Sequence, residues 1–266
     1  MPTIGISLIA HNEEKFIEKA LNSASPADKI VVVDCESTDN TLKLARAFPN
    51  VEVFLQPNNP NLNINKSFGF AKLHTDWIFY LDPDEQIPPP LWVEIRKKLN
   101  ETPLTFSAYK IPRRNFFFGK PLLHGGAYPD YQIRLFQNGK AKFPNQHVHE
   151  SLKVNGNIGK FLNPFDHHPY PDLSTYIKKM DFYTSFQSEF WKKERKKTNF
   201  FNTAFHFFIF PTIRFFRRFI LKRGFLDGWQ GFTAAAGDVF SQIFSYAKYL
   251  EILQNNSQKN ENPSNS

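Results

Sequence analysis

The stretch Trp77-Ile78-Phe79-Tyr80-Leu81-Asp82-Pro83-Asp84-Glu85 decides how the chain reads. Its five apolar residues fit a strand covered on both faces, as parallel strands of α/β sheets are, and Pro83 blocks continuation of the ladder. Three carboxylates therefore stand at a strand's carboxyl end, where open α/β sheets place their ligands. Acids two residues apart can divide the work there, one toward a divalent cation and one toward a neighbouring ligand group. Taken alone, the segment also fits an exposed acidic turn, since Asp and Pro are ordinary turn residues.

Working outward, Ile4 to Ala10 is a short apolar run ending in His11-Asn12-Glu13-Glu14, after which Phe16, Ile17, Ala20 and Leu21 recur at helical spacing. The run lacks a basic leader and is too short for a signal peptide, so it is read as the first strand. Lys29 to Val33 is a second strand, ending at Asp34. Ser37-Thr38-Asp39 then suits the cap of a helix that buries Leu42, Leu44, Ala45 and Phe48. Val51 to Leu55 reads as a third strand, Asn63 to Lys72 as a helix, and Trp77 to Leu81 as the fourth strand. Alternating strands and helices predict a Rossmann-like α/β fold with a mainly parallel sheet, its carboxyl ends converging on one crevice. Asn12 and Ser37 singly fit helix caps and Asp34 a turn acid; together, polar groups at three strand ends point to a ligand site. No glycine-rich dinucleotide fingerprint or phosphate loop follows any strand, so phosphates would be handled by a metal or by basic side chains.

With 266 residues and 41% hydrophobic content, the chain can build a substantial core. The net charge of +8 is local: Lys192 to Arg223 carries ten Lys or Arg against Glu194, leaving the rest at −1. Cys35 stands alone, which excludes an intrachain disulfide and suits a reducing compartment, with cytoplasm as the expectation.

In the middle of the chain, Phe106 to Pro112 alternates like a strand and Arg113-Arg114-Asn115 is basic. His124 to Asp130 is a tight, Gly-rich approach to the apolar run Ile133 to Phe136. In His147-Val148-His149-Glu150 an extended backbone puts both histidines on one side and Glu150 on the other. His167-His168 has no metal-identifying spacing and is read as structural. The chain turns helical from Tyr176, and Phe200 to Phe225 holds ten of the 30 phenylalanines interleaved with Arg214, Arg217, Arg218, Lys222 and Arg223. Polar and charged interruptions argue against a membrane span. Aromatics entering the headgroup boundary, with Arg and Lys meeting anionic lipid, fit better, beside the alternative of a helical lid packed on the catalytic domain. Phe225 to Tyr249 reads as another helix.

The motifs ISLIAHNEE, VVVDCESTDNT, NKSFGFA and WIFYLDPDE resemble the inverting family 2 glycosyltransferases of GT-A fold. The later motifs YKIPRRNFFFGKPLLHGGAYPDYQIRLF, HVHE and RRFILKRGFLDGWQGF resemble the branch of lipopolysaccharide core β-glucosyltransferases, a likeness running from Ile4 to Glu251. The acidic DXD motif reads Asp-Pro-Asp where such proteins often carry Asp-Ala-Asp, keeping both acids. The resemblance implies that Asp34 contacts the nucleotide base, that His11, Asn12 and Glu13 close around the nucleoside, and that Lys66 lies near the base or diphosphate. It also implies that Asp82 faces ribose and metal, that Asp84 ligates Mg²⁺ or Mn²⁺, and that Arg134 lies near the phosphates. His149, read from the HVHE run itself, either completes the metal shell or holds a phosphate, with a structural loop histidine as the alternative. A solvated helix lysine remains the alternative for Lys66. Inversion needs a carboxylate to take the proton of the attacking hydroxyl. Asp130 is the expected base, with Glu150 as the alternative; a structural ion pair of Asp130 with Arg134 is the other possibility.

The expected organisation is a GT-A domain over 1–171, with a nucleotide-sugar half (1–100) and an acceptor half (101–171). A helical membrane-associating region over 172–254 and a disordered tail over 255–266 follow. The expected activity is transfer of a hexose, glucose by resemblance, from a UDP-sugar to an inner-core heptose of a lipid-anchored saccharide, by a peripheral protein on the cytoplasmic face of the inner membrane. Another lipid-linked or cell-surface glycan is the alternative acceptor. A basic nucleic-acid-binding protein is the alternative of another class, disfavoured because no recognised nucleic-acid module is present and the N-terminal acids repel phosphate.

Overall fold

The computed structural model describes residues 1–101, 105–144 and 151–261, with the side chains of 257–261 excepted. The chain divides into two compact units, Met1–Arg114 with Pro129–His168, and Asn115–Tyr128 with Pro169–Ser266. The division is interleaved, unlike a single cut at 171: the segment 115–128 belongs with the helices.

The first unit opens with β1 (Ile4–Ala10), α1 (Ile17–Ala24), β2 (Lys29–Asp34), α2 (Thr41–Arg46), β3 (Val51–Leu55), α3 (Leu62–Ala71) and β4 (Trp77–Leu81). β1 pairs in parallel with both β2 and β4, and β2 with β3, giving the order β3-β2-β1-β4. The chain steps outward from β1 and then returns to its other side. This reversal opens a crevice beyond the carboxyl ends of β1 and β4. The expected burial is realised: every residue of β1 and β4 is buried, including the whole run Trp77 to Leu81. Close packing leaves no slack under β1, because a Cβ on Gly69 of α3 would fall 2.4 Å from the Ser7 hydroxyl.

Beyond β4 lie β5 (Glu85–Gln86), α4 (Pro89–Leu99), β6 (Ala108–Phe117), β7 (Lys120–Pro121) and β8 (Asp130–Gln137). They are followed by β9 (Ala141–Lys142), β10 (Lys153–Val154), β11 (Ile158–Lys160) and β12 (Phe165–Tyr170). The sheet continues β4-β8-β6-β12-β5, with β8 antiparallel to both β4 and β6, so the parallel half grades into an antiparallel one. β6 runs well past the expected Pro112, and Asp130 is the first residue of β8 rather than part of the loop before it.

In the second unit, α5 (Leu173–Lys193) starts at Asp172, whose side chain accepts from the Thr175 N–H at 2.7 Å. The Phe-rich stretch is one helical run, α6 (Phe200–Ala204) and α7 (Phe210–Phe215), with π-helical turns at Phe205–Ile209 and Phe216–Leu221. Pro211 has no N–H to donate to the preceding turn, and the first wide turn stands just before it. α8 (Trp229–Glu261) is longer than expected. The polar segment expected to be a disordered tail from 255 is helical up to Glu261, since 255–261 holds no Gly or Pro; residues 262–266 lie outside the described part. No helix among the described residues is long and apolar enough to cross a membrane.

Candidate functional site

All the site residues below belong to the first unit. At the end of β1, Asn12 adopts a left-handed conformation (φ 56°), tolerable for Asn, and turns the chain toward the loop after β2. The two loops are cross-bonded. Asn12 N–H donates to Ser37 Oγ (3.0 Å), Thr38 N–H to Asn12 Oδ1 (2.7 Å), Glu13 N–H to Thr41 Oγ1 (2.7 Å), and Asn40 N–H to the Glu14 carboxylate (3.1 Å). The His11 ring Nδ1 lies 2.5 Å from the Cys35 carbonyl, while Nε2 is 3.3 Å from the Asn12 amide nitrogen. This pattern fixes the tautomer that carries its proton on Nδ1. His11, Asn12 and Glu13 thus shape one rigid rim.

Asp34, the last residue of β2, is 2% exposed. Its Oδ2 accepts from the Ser37 N–H at 3.2 Å, whereas Oδ1 is buried with no partner among the described residues. A buried carboxylate oxygen without a donor is costly, and a ligand N–H or O–H would relieve it. Cys35 fills space beneath and takes the Asn65 amide at 3.1 Å; burial, with Asp34 and Glu36 adding to it, outweighs the Asn65 hydrogen bond and pushes the thiol pKa up, which keeps it inert.

At the end of β4, four charged side chains form one lattice. Asp82 receives Lys66 Nζ at 3.0 Å on one oxygen and Arg134 at 2.9 Å on the other. Arg134, 4% exposed, also grips Glu85, which is fully buried and whose second oxygen caps the Asp82 N–H at 3.0 Å. Tyr80 supplies a π face to both cations, its centroid 4.2 Å from the Arg134 guanidinium carbon and 5.2 Å from Lys66 Nζ. Burial raises the Asp82 pKa, but Lys66 and Arg134 outweigh it and hold the carboxyl well below the usual range. Glu85 goes the other way: burial, reinforced by Asp82, pushes it up to about 7 against the pull of Arg134.

These contacts decide several expectations. Lys66 is held against Asp82 and Tyr80 and is not a solvated helix lysine. Arg134 is no open phosphate ligand: it is a buried strut beneath Asp82, directed there by the antiparallel β4–β8 pairing. Asp130 does not pair with Arg134. The β6–β8 register sets it opposite Arg113, whose Nε and terminal nitrogen lie 2.9 and 2.6 Å from Oδ2, while Gln132 donates to Oδ1 at 2.7 Å. Oδ2 is saturated and Oδ1 keeps a lone pair.

Asp84 is about one-fifth exposed, with His167 Nε2 at 3.4 Å from its carboxylate. His167 reaches it because β12 pairs with β5 in a register that sets His167 opposite Glu85. Sequence reasoning left His167 structural and did not single out Glu85 or Arg113; only strand register brings them in. Among the described residues, no three His, Cys, Asp or Glu side chains gather closely enough to cage a metal. His147, His149 and Glu150 lie outside the described residues. The donors present suit Mg²⁺ or Mn²⁺ of the kind held by one or two carboxylates and completed by water and phosphate oxygens. Asp84, which stands outside the lattice of Asp82, Lys66, Arg134 and Glu85, would hold it, with Asp82 as the second carboxylate.

The family model for glycosyl transferase family 2 matches residues 6–154. The chain is 29% identical over 265 residues to an uncharacterized glycosyltransferase of Rickettsia typhi, covering 96% of this chain and 87% of that one. It is 23% identical to the lipopolysaccharide core biosynthesis glycosyltransferase LpsC of Rhizobium meliloti, covering 95% and 92%. Among solved structures, TarS 1-349 of S. aureus overlays with a TM-score of 0.48 at 13% identity, covering 94% of this chain and 91% of that one. The family match spans more than half of the sequence, and the chain belongs to glycosyl transferase family 2.

Proposed function

Starting from that membership, we propose that the chain is a metal-dependent inverting hexosyltransferase. In this proposal it moves a hexose, glucose in the first instance, from a UDP-sugar to an inner-core heptose of a lipopolysaccharide-type acceptor at the cytoplasmic face of the inner membrane. The observation that carries the proposal is the placement of Asp34 at the end of β2 and of Asp82 and Asp84 just past the end of β4, on the two sides of β1 at the topological switch. The family and the full-length likeness to LpsC support the glycan class; another lipid-linked glycan remains the second choice of acceptor.

The chain's own groups have distinct tasks in this reading. Asp34 Oδ1 takes the donor N–H of the uracil ring, and the locked rim of His11, Asn12 and Glu13 borders the nucleoside. Asp82, kept ionised by Lys66 and Arg134, accepts from the ribose hydroxyls, and Lys66 carries positive charge toward the diphosphate. Asp84 ligates the divalent cation, whose contribution when bound is to neutralise charge building on the departing UDP. Asp130 Oδ1 takes the proton of the attacking acceptor hydroxyl, a role worth roughly 10²–10⁴ in rate. Arg113 and Gln132 fix the direction of that oxygen.

The test is UDP release from UDP-glucose on heptose-terminated core lipid. Asp84→Ala should abolish the manganese-dependent rate. Asp130→Asn should bind UDP-glucose normally and lose transfer by at least a hundredfold. Normal transfer by Asp130→Asn would move the base role to Glu150, and chelator-resistant wild-type activity would remove the metal from the scheme.

A further inference from the structure

The second unit contains a concave charged site that none of the transfer chemistry uses. Gly125, Gly126, Arg214, Arg217, Arg218 and Lys222 line a cavity of about 250 Å³ with one carboxylate, Asp238. Arg214 takes that carboxylate through two bonds of 2.8 and 2.5 Å, and Arg218 lies 3.9 Å from it. Arg217 and Lys222 have no carboxylate partner among the described residues. The lining is left with an excess of positive charge that an anion would neutralise.

The cup is rigid. Gly125 and Gly126 both have positive φ (64° and 77°), and a Cβ on Gly126 would fall 2.5 Å from Lys222 Nζ, so glycine admits the ammonium against the backbone. Gly125 N–H donates to the Lys222 carbonyl at 2.8 Å. Asp227, 3% exposed, ties down the preceding turn by accepting from the His124 N–H (2.9 Å) and ring Nδ1 (2.8 Å).

An apolar cavity of about 380 Å³ shares the same helices, with Phe207, Phe208, Phe215, Phe216, Val239 and Phe240 in its walls. Arg214 precedes Phe215 in α7 and Asp238 precedes Val239 in α8, so each of the two helices contributes to both linings. Guanidinium forks match phosphate oxygens, and a phenylalanine slot matches hydrocarbon. The geometry points to a lipid phosphate as ligand, its phosphate in the Gly125–Lys222 cup and its chain in the phenylalanine slot. This deepens the membrane-surface part of the proposed function and is independent of transfer.

The experiment uses the full chain and phosphatidylcholine vesicles, plain or carrying phosphatidate, with inorganic phosphate followed separately by calorimetry. Wild type should prefer phosphatidate vesicles. The double substitution Arg217→Gln, Lys222→Gln, at exposed positions, should weaken that binding about thirtyfold with an unchanged melting temperature. The equally charged change Lys192→Gln, Lys193→Gln should not. Ala236 also lines the apolar cavity, and Ala236→Phe, which fills it, should lower affinity for phosphatidate but not for inorganic phosphate. A phosphorylated glycolipid in the same vesicles separates the sources: tighter binding than phosphatidate assigns the site to the acceptor, and equal binding assigns it to the membrane. Equal losses in the two double variants would overturn the cup while leaving membrane association standing, and an inert Ala236→Phe would overturn the slot.

Discussion

The two units treat apolar surface in opposite ways. In the first, β1, β2 and β4 are buried almost throughout and the exposed large apolar residues are scattered. In the second, α5 and the run from Phe200 to Leu221 expose Phe182, Phe186, Phe200, Phe201, Phe208 and Phe216, with Phe200 and Phe201 each 81% accessible. Polar groups show the inverse: the sheet unit buries Asp34, Glu85 and Arg134, whereas the helical unit presents Arg217 and Lys222 at its surface. A unit that hides charge and covers its hydrocarbon is built to position ligands. One that shows phenylalanine and arginine together fits the membrane contact proposed above.

Substitutions can break this contrast. The largest effect is expected from Arg134→Ala, which leaves Asp82 and Glu85 facing each other without their shared cation. Loss of a buried ion-pair partner costs about 3–5 kcal/mol, and chemical denaturation should read it directly. Gly69→Ala forces a methyl against Ser7 under β1 and should cost about 1–3 kcal/mol, or less if α3 shifts, with a matching fall in melting temperature. Glu85 makes the contrast pH-dependent. Its pKa rises from 4.5 to about 7 on folding, so between those values the folded state holds the extra proton. Stability therefore falls as pH rises from 4.5 toward 7, and Glu85→Gln should flatten that segment of the melting profile. Asp82 has the reverse sign, contributing stability above its unfolded pKa that is lost only under strong acid. The smallest effect belongs to the other unit: Phe200→Ser with Phe201→Ser should move folding stability by no more than about 0.5 kcal/mol per site while lowering vesicle cosedimentation. A large destabilisation there would mean that these rings support the fold instead of meeting lipid.

Much of the first unit is legible in the sequence because its parallel strands are short, predominantly apolar runs ended by polar residues. Ile4–Ala10, Val51–Leu55 and Trp77–Leu81 fall where the hydrophobic pattern puts them. The positions of Asp34, Asp82 and Asp84 at strand ends and of Lys66 on α3 are legible for the same reason, being tied to strand ends or to one helix. The partners of Asp130 and Arg134 are not, because they depend on antiparallel register across β4, β8 and β6, including a shift between Tyr109 and Lys110 that no local pattern announces. Glu85 looks like one more acid in an acidic turn until the pairing of β5 with β12 and the reach of Arg134 bury it. The helical extension past Asn255 is obscured by composition: polar residues suggest disorder, yet 255–261 contains no Gly or Pro and helix propensity tolerates the rest.

The bonds joining the rim after β1 to the loop after β2 bear on how this corner of the molecule could be remodelled. Ser37, Thr41 and Glu14 each satisfy a backbone N–H on the opposite segment. Lengthening either segment by a residue would strip the other of its acceptors, so the two crossovers can change length only in concert, and a graft of one onto a foreign scaffold must bring its counterpart along.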